Sequence, residues 1–248
     1  MKKNKDFFYL QYNQINWKNQ EKTKINSYIN KYIIKNVISE HKGEDISIFD
    51  IGLGIGFFVK MFYHSLISKY KNIKIEGCEP STVNYQYFLA KKPKRLRQGV
   101  SIETQEKKYL EVRTDTKFDY ITAIYVFPHF VFDELETVAQ KIHSMLKEKG
   151  RFILVLANEQ YLKTKLETEK DLFIESGMFA FNGKQYKEVL HYSEIPKIGK
   201  VIDYNREEQF YIDLFTKNKF VLNKKEDLND NGFICSLFIF EKLSTYEQ

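Results

Sequence analysis

Residues 46–56, Ile-Ser-Ile-Phe-Asp-Ile-Gly-Leu-Gly-Ile-Gly, decide the fold of this chain. Apolar residues at 46–51 predict a short buried strand that ends in a glycine-rich loop, and the pattern at 57–70 predicts a helix. Glycines at alternate positions let the backbone turn sharply and approach a ligand closely. Because backbone N–H groups at the start of a helix attract electron-rich groups, the strand, loop and helix together predict a ligand site.

The spacing of the glycines distinguishes two kinds of cofactor loop. A nicotinamide or flavin loop has the pattern Gly-x-Gly-x-x-Gly, and counted from Gly52 its third glycine would fall at Phe57. The pattern here is instead Asp-x-Gly-x-Gly-x-Gly, from Asp50 to Gly56. The loop therefore does not favour a dinucleotide.

Strands and helices alternate along residues 46–157. Further strands are predicted at 73–78, 99–102, 118–126 and 152–156, and further helices at 82–91 and 132–146. Such alternation predicts a parallel sheet with helices on both of its faces. Upstream, Ile25, Tyr28, Ile29, Tyr32, Ile33 and Val37 recur at helical spacing and follow an aromatic N-terminal cluster.

The C-terminal part departs from this alternation. A helix is predicted at 206–216, followed by strands at 220–222 and 233–240 joined by a turn that contains Asn231-Gly232. Residues 158–204 do not fit the pattern and exceed the usual length of a connection. Within them, 188–195 and 200–204 predict an antiparallel ribbon that turns at 196–199.

The predicted fold class is α/β, a doubly wound and mostly parallel seven-stranded sheet with a C-terminal antiparallel hairpin. We expect one domain over 1–248. It comprises a helical N-terminal lid at 1–45, a cofactor-binding core at 46–157, a small inserted cap at 158–204, and a final helix and hairpin at 205–248.

Composition excludes several classes of protein. Hydrophobic residues make up 43% of the chain, enough for a sizeable core, and the net charge of +6 is weak support for a nucleic-acid partner. The two cysteines, Cys78 and Cys235, lie in apolar stretches and suggest neither a disulfide framework nor a metal site. We find no signal-peptide pattern and no run of about 18 apolar residues. A cytoplasmic protein with no membrane partner is expected.

Four motifs resemble those of class I S-adenosylmethionine-dependent methyltransferases. Residues 50–56 resemble motif I of that family, and Glu79 stands at the end of the second strand, where an acid can accept both ribose hydroxyls. Residues 118–130 resemble the motif IV strand with its following loop, and 146–152 resemble the family's "LKPGG" turn. The resemblance implies that S-adenosylmethionine is the methyl donor and S-adenosylhomocysteine the product, in an enzyme of the small-molecule type.

The resemblance also implies roles for individual residues at the cofactor. Asp50, Gly52, Gly54 and Gly56 would hold its amino-acid part, and Glu79 with Pro80 its ribose. Ser101 and Ile102 lie where the family clamps the adenine, although the usual Asp is replaced there by Val100-Ser101. Tyr125 and Val126 match positions that flank the methionyl end, and Tyr12 of the aromatic N-terminus could fold over the cofactor.

Candidate residues for the acceptor lie in the loop after the fourth strand, the cap and the N-terminus. His129 is the best-placed general base, with ordering of its loop as the alternative, and His191 in the cap is a second candidate. Trp17, Phe179, Tyr186, Tyr192 and Arg206 could line the acceptor pocket, or could simply pack against the sheet edge.

The acceptor itself is left open between classes. No Asp/Asn-Pro-Pro-Tyr/Phe follows the fourth strand, so the exocyclic amino groups of DNA bases are not expected acceptors. A sugar, amine or other metabolite is the first hypothesis, in a monomer or homodimer without a nucleic-acid partner. An RNA methyltransferase that holds phosphates with the basic run at 91–97 is the second. A binding module that keeps the cofactor but transfers nothing is the third.

Overall fold

The computed structural model describes residues 26–195 and 199–244. Ten strands lie within these residues: β1 (Asp45–Ile51), β2 (Asn72–Cys78), β3 (Val100–Gln105), β4 (Phe118–Ile124), β5 (Leu146–Ala157), β6 (Phe173–Phe181), β7 (Lys184–Ile195), β8 (Gly199–Arg206), β9 (Phe220–Asp230) and β10 (Phe233–Lys242). Six α-helices accompany them: α1 (Ser27–Asn36), α2 (Phe57–Leu66), α3 (Thr82–Lys91), α4 (Phe132–Met145), α5 (Glu159–Thr168) and α6 (Glu208–Lys217).

Seven of the strands form the main sheet, in the order β3-β2-β1-β4-β5-β10-β9. Parallel pairing joins the first five, and β10 runs antiparallel to both β5 and β9. The predicted fold class is thus confirmed. Strand order reverses between β1 and β4, which in open α/β sheets marks the crevice where ligands bind.

Both faces of the sheet are covered by helices. Because successive side chains of a strand point to opposite faces, each central strand contributes to a core on either side. In β1, Phe49 packs into a core with α4 and α6, whereas Ile48 packs into a second core with α1 and α2. Central parallel strands covered on both sides carry near-continuous apolar runs. This explains why apolar residues of β1 such as Ile48 and Phe49 stand at adjacent positions instead of alternating with exposed ones.

The insertion between the main-sheet strands is larger than the predicted ribbon. The whole insertion, which we call the cap, contains α5 and a separate three-stranded sheet in the order β6-β7-β8. The antiparallel pairing of β7 with β8 confirms the ribbon, while α5 and β6 were not predicted. Arg206 is the last residue of β8 and not the start of a helix, because α6 begins only at Glu208.

The helical prediction upstream of the core is confirmed for the part that is described. In α1, Ile29 and Ile33 are fully buried one turn apart against the sheet. Tyr12 and Trp17 lie outside the described residues. None of the helices within 26–195 and 199–244 is both long and apolar enough to cross a membrane.

Candidate active site

A cavity of 570 Å³ lies at the carboxyl ends of the central strands. Its volume is in the range of about 300–1,000 Å³ that is usual for ligand sites. Residues that follow β1, β2 and β4 form one end of its wall, and residues of the cap form the other. We call these the donor end and the acceptor end.

The glycine loop forms the floor of the donor end. Gly52 and Gly54 both have positive φ, 64° and 55°, which favours glycine at these positions. A Cβ at Gly52 would lie 2.7 Å from Val126, whereas a Cβ at Gly54 would meet no atom of the described part of the chain within 4 Å. Gly54 therefore borders open space, where a ligand can approach the backbone.

Gly56 does not reach the cavity. It caps the start of α2 with a φ of 77°, and a Cβ there would lie 2.1 Å from the ring of Phe88. The absence of a side chain at Gly56 is explained by packing between α2 and α3. The structure thus places this predicted cofactor residue outside the wall.

Two buried carboxylates flank the loop. Glu79 accepts hydrogen bonds from the backbone N–H groups of Gly54, at 2.8 Å, and Ser81, at 2.9 Å. Asp50 accepts one from the Thr122 hydroxyl, at 2.6 Å. Burial raises the pKa of each carboxyl group to about 7, against the lowering effect of these hydrogen bonds. A cationic ligand beside them would favour their charged forms.

Ser101 and Ile102 lie away from the cavity. Ser101 is the second residue of β3 and pairs with Lys74, so it stands near the amino end of the strand. It borders a separate shallow depression with Asp45 and Asn72. The predicted strand at 99–102 was too short, because β3 continues to Gln105. The structure therefore does not support an adenine contact at these two residues.

The loop after β4 meets the C-terminal hairpin at the donor end. Tyr125 has a φ of 58°, and its ring lies edge-on to Phe233 with centroids 5.7 Å apart. Asp230, at the end of β9, lies 3.5 Å from the Tyr125 hydroxyl and accepts a hydrogen bond of 2.8 Å from the backbone N–H of Asn26. Val126 and Pro80 also border the cavity, as predicted.

The acceptor end is mostly apolar. Leu162 and Leu166 of α5, Leu172 before β6, Phe130 after β4 and Val201 of β8 form much of its wall. Tyr192, a predicted acceptor residue, also borders it. The cap therefore lines this end of the cavity with mostly apolar side chains.

Four polar side chains interrupt this apolar wall. His129 Nδ1 lies 3.1 Å from Asp203 Oδ1, and Ser193 Oγ lies 3.2 Å from His191 Nε2. Ser193 also hydrogen-bonds Asp203, and His129 hydrogen-bonds the backbone of Tyr125, so the four polar groups cluster at one point of the wall. Burial lowers the pKa of His129 to about 3 and of His191 to about 4, so both imidazoles are neutral at physiological pH.

Three predicted acceptor residues lie outside the wall. Phe179 and Tyr186 stack with ring centroids 5.7 Å apart and pack on Phe210 of α6. Arg206 is buried, pairs with Glu188 and donates a 3.0 Å hydrogen bond to the Phe130 carbonyl. These residues join the cap to the core and do not contact the cavity.

Several wall residues were missed from the sequence. Asp203 and Ser193 border the acceptor end, and Asn30, Asn84 and Asp230 border the donor end. Asn30 and Asp230 approach the glycine loop only through folding of distant segments. Asn84 follows the Ser81 cap of α3, a local signal that could have indicated it.

Comparisons with known proteins agree with this geometry. The family model for the methyltransferase domain matches residues 24–193, more than half of the chain. No curated protein sequence matches the chain. Among solved structures, an S-adenosylmethionine-dependent methyltransferase from Clostridium acetobutylicum is 14% identical, with a TM-score of 0.57 over 92% of this chain and 96% of that chain.

Two further solved structures contain a ligand. Magnesium protoporphyrin IX methyltransferase from Synechocystis, with bound S-adenosylmethionine, is 11% identical, with a TM-score of 0.58 over 87% of this chain and 78% of that chain. N-methyltransferase NodS from Bradyrhizobium japonicum, in complex with S-adenosylhomocysteine, is 12% identical, with a TM-score of 0.58 over 88% and 87%. At these identities the likeness is one of fold. Together with the family match it means that the chain belongs to the methyltransferase-domain family and is a class I, S-adenosylmethionine-dependent enzyme.

Proposed function

We propose that this enzyme transfers a methyl group from S-adenosylmethionine to an oxygen or nitrogen atom of a small molecule held beneath the cap. One observation carries the proposal: a single cavity joins the glycine loop to the cap. A donor bound at one end and an acceptor bound at the other would therefore meet without crossing bulk water. Proximity and exclusion of water supply much of the rate enhancement in such transfers.

The residues at the donor end fit the methyl donor. Gly54 borders open space, and Glu79 presents carboxylate oxygens that can accept the two ribose hydroxyls. Asp50 and Glu79 together provide negative charge for a ligand with a sulfonium and an ammonium group. Asn30 Oδ1 and Asn84 Oδ1 are buried acceptors that have no hydrogen-bond partner among residues 26–195 and 199–244, as expected beside a ligand with N–H and O–H donors.

The chain's own residues then have defined tasks. When bound, the donor supplies a methyl group activated by a sulfonium sulfur, which keeps the electron pair of the broken carbon–sulfur bond as a thioether. Tyr125 and Val126, which follow β4, border the cavity and would flank the methionyl end of the donor. His129 and His191, the two predicted catalytic residues, stand in the wall where the acceptor's reacting atom would lie.

A small acceptor is favoured over RNA by the position of the basic run. Residues 91–97 precede β3 and lie near the amino ends of the strands, whereas the cavity lies at their carboxyl ends. Arg97 donates hydrogen bonds to the carbonyls of Tyr70 and Lys71, so it is occupied in fixing this turn. The cap encloses the acceptor end with leucine side chains, which suits a compact molecule better than a polynucleotide.

Two measurements test the proposal. Saturating S-adenosylmethionine should stabilise the fold by about 3–4 kcal/mol at 100 to 1,000 times its dissociation constant, seen as a rise in Tm. The enzyme should also transfer labelled methyl groups to a deproteinised small-molecule extract and not to total RNA. Stabilisation by NAD in place of S-adenosylmethionine, or labelling confined to RNA, would overturn it.

A further inference from the structure

The cap presents one polar face to the cavity. In the pairing of β7 with β8, His191 lies directly opposite Asp203, and Ser193 lies opposite Val201. Directly paired residues, and residues two apart on one strand, share a face of a sheet. His191, Ser193 and Asp203 therefore project together, and all three border the cavity.

The core supplies the fourth member of this group. A short 3-10 turn, Phe127–His129, follows β4 and brings His129 Nδ1 to 3.1 Å from Asp203 Oδ1. Ser193 bridges Asp203 to His191, whose Nδ1 lies 3.5 Å from the Val189 carbonyl. Asp203 is the central member and the one carboxyl group among the four.

Asp203 lies in surroundings that disfavour its charge. Burial raises its pKa to about 7, opposed by the Ser193 hydrogen bond. The groups that face it are the neutral imidazoles of His129 and His191 and the hydroxyl of Tyr211 in α6. The pKa of Tyr211 is raised mainly by burial and to a smaller extent by the charges of Glu188 and Asp203. Arg206 lies three residues further along β8, where Glu188 pairs with it. Lys165 and Glu194 are the charged residues of the cap wall.

We propose that Asp203 is the catalytic base of this enzyme, and that the acceptor is a hydroxyl group on a predominantly apolar small molecule. The proposal rests on the proposed function and deepens it. His129 and Ser193 act as positioning residues, because each contacts Asp203 and holds its carboxylate at the acceptor end.

The proton balance of the step is simple. As the acceptor oxygen forms its bond to the methyl carbon, the O–H bond breaks and its proton passes to the Asp203 carboxylate. The sulfur of the donor retains the electron pair of the carbon–sulfur bond, so a neutral ether and a neutral thioether result. Asp203, now a carboxylic acid, returns its proton to water when the product leaves.

A hydroxyl fits this wall better than an ammonium group. An ammonium beside Asp203 would form a lasting ion pair in which its nitrogen has no free electron pair to attack the methyl group. It would also carry a charge into a compartment bounded by Leu162, Leu166 and Leu172, which is costly. A neutral hydroxyl enters at lower cost and needs a base, which general-base catalysis favours near pH 7.

Histidine NMR spectra of the protein without donor or acceptor test the role of Asp203. The chain has five histidines, and substitution of each assigns its ring signals. Because His129 lies beside Asp203, its signal should shift with a midpoint near pH 7, and Asp203→Asn should abolish that midpoint. Asp171→Asn, on an exposed carboxylate of the cap, is the matched control and should retain it.

The same variants separate catalysis from structure. Asp203→Asn should not lower the Tm, since an amide has no charge to bury, and it should keep the stabilisation by S-adenosylmethionine. It should lower kcat by about 100-fold or more, and the wild-type rate should rise with pH through 7. No midpoint near pH 7 for His129 in the wild type, or an unchanged midpoint in Asp203→Asn, overturns the proposal. Full activity of Asp203→Asn overturns it as well.

A second measurement tests the hydroxyl. With a ¹³C-labelled methyl donor and a small-molecule extract, the carbon chemical shift of the product distinguishes a methoxy group from an N-methyl group. A methoxy product supports the inference, and an N-methyl product overturns it. Absence of any labelled small molecule would instead count against the proposed function, while the histidine titration would still decide the role of Asp203.

Discussion

The two ends of the cavity are built in different ways. At the donor end, Glu79 is held by the backbone N–H groups of Gly54, in the glycine loop after the neighbouring strand, and of Ser81. At the acceptor end, Ser193 hydrogen-bonds Asp203 within the inserted sheet, and His129 of a core loop lies 3.1 Å from Asp203. The donor end is thus fixed by the sheet itself, and the acceptor end by how the cap sits on it.

Because of this difference, we expect substitutions at the two ends of the cavity to affect cofactor binding differently. A change in the cap alters the acceptor end without moving the glycine loop, because the loop is held by Glu79 and by a 3.0 Å hydrogen bond from the Leu53 N–H to the Cys78 carbonyl. We therefore expect substitutions at the donor end to abolish cofactor binding and substitutions in the cap to spare it.

Gly54→Asp should have the largest effect. Gly54 has a φ of 55° and borders the cavity, so an aspartate strains the backbone and fills the space for the ligand. The stabilisation by S-adenosylmethionine, about 3–4 kcal/mol at saturation, should disappear from thermal melts. Gly183→Asp, at a φ of 74° in the β6–β7 turn, imposes the same strain outside the cavity and should retain it. An equal loss in both variants would show that strain alone is responsible.

Arg206→Met should have the second-largest effect, and it should lower the free energy of unfolding more than it weakens cofactor binding. It leaves the buried Phe130 carbonyl and the Glu188 carboxylate without their partner, at a cost of about 2–3 kcal/mol in urea unfolding. Stabilisation by the cofactor should persist. Lys200→Met, which removes an exposed ion pair with Asp171, should change stability little. Lost cofactor binding in Arg206→Met would mean that the two ends are not independent.

Asp50→Asn should have a smaller, pH-dependent effect. Burial raises the pKa of Asp50 from 3.8 to about 7, so between these values the folded protein binds more protons than the unfolded chain. Stability of the ligand-free protein therefore falls as pH rises through 7. An amide has no charge to bury. Between pH 5 and pH 8, the free energy of unfolding of the variant should therefore rise by about 1–2 kcal/mol relative to that of the wild type. Parallel pH curves for the two proteins would contradict this.

Ser101→Ala should have the smallest effect. Ser101 lies at the amino end of β3, away from the donor end, so the affinity for S-adenosylmethionine should change by less than about 0.5 kcal/mol in calorimetry. Glu79→Ala serves as the positive control, because it removes the carboxylate at the loop. A tenfold weaker affinity in Ser101→Ala would restore the adenine contact predicted from the sequence.

The donor end was largely predictable because its signals are local. A buried strand, the glycines and the acid after β2 all lie within 46–79, and parallel strands bring their carboxyl ends to one edge. The prediction set Ser101 and Ile102 at the end of β3, because the polar second half of this strand hid its true end at Gln105. Gly56 was grouped with Gly52 and Gly54 because a glycine pattern does not show which of its members borders a cavity and which packs against a neighbouring helix.

The acceptor end was less predictable because it depends on register. A four-residue turn at 196–199 would pair Ile195 with Lys200 and hence His191 with Tyr204, whereas the structure pairs Ile195 with Gly199 and His191 with Asp203. A shift of one residue exchanges the two faces of a strand. Likewise α5 buries only Leu162 fully, so its apolar pattern was too weak to indicate a helix.

The position of the C-terminal hairpin in the wall means that the donor end is completed only late in translation. Asp230, Asn231 and Gly232 border the donor end, and Asp230 accepts a hydrogen bond from Asn26, 204 positions earlier in the chain. Contacts between such distant segments form late, since the intervening chain must first be made and ordered. A nascent chain that ends before residue 220 can carry the whole glycine loop and still lack this wall, so the ability to retain the methyl donor should emerge only with the final strands.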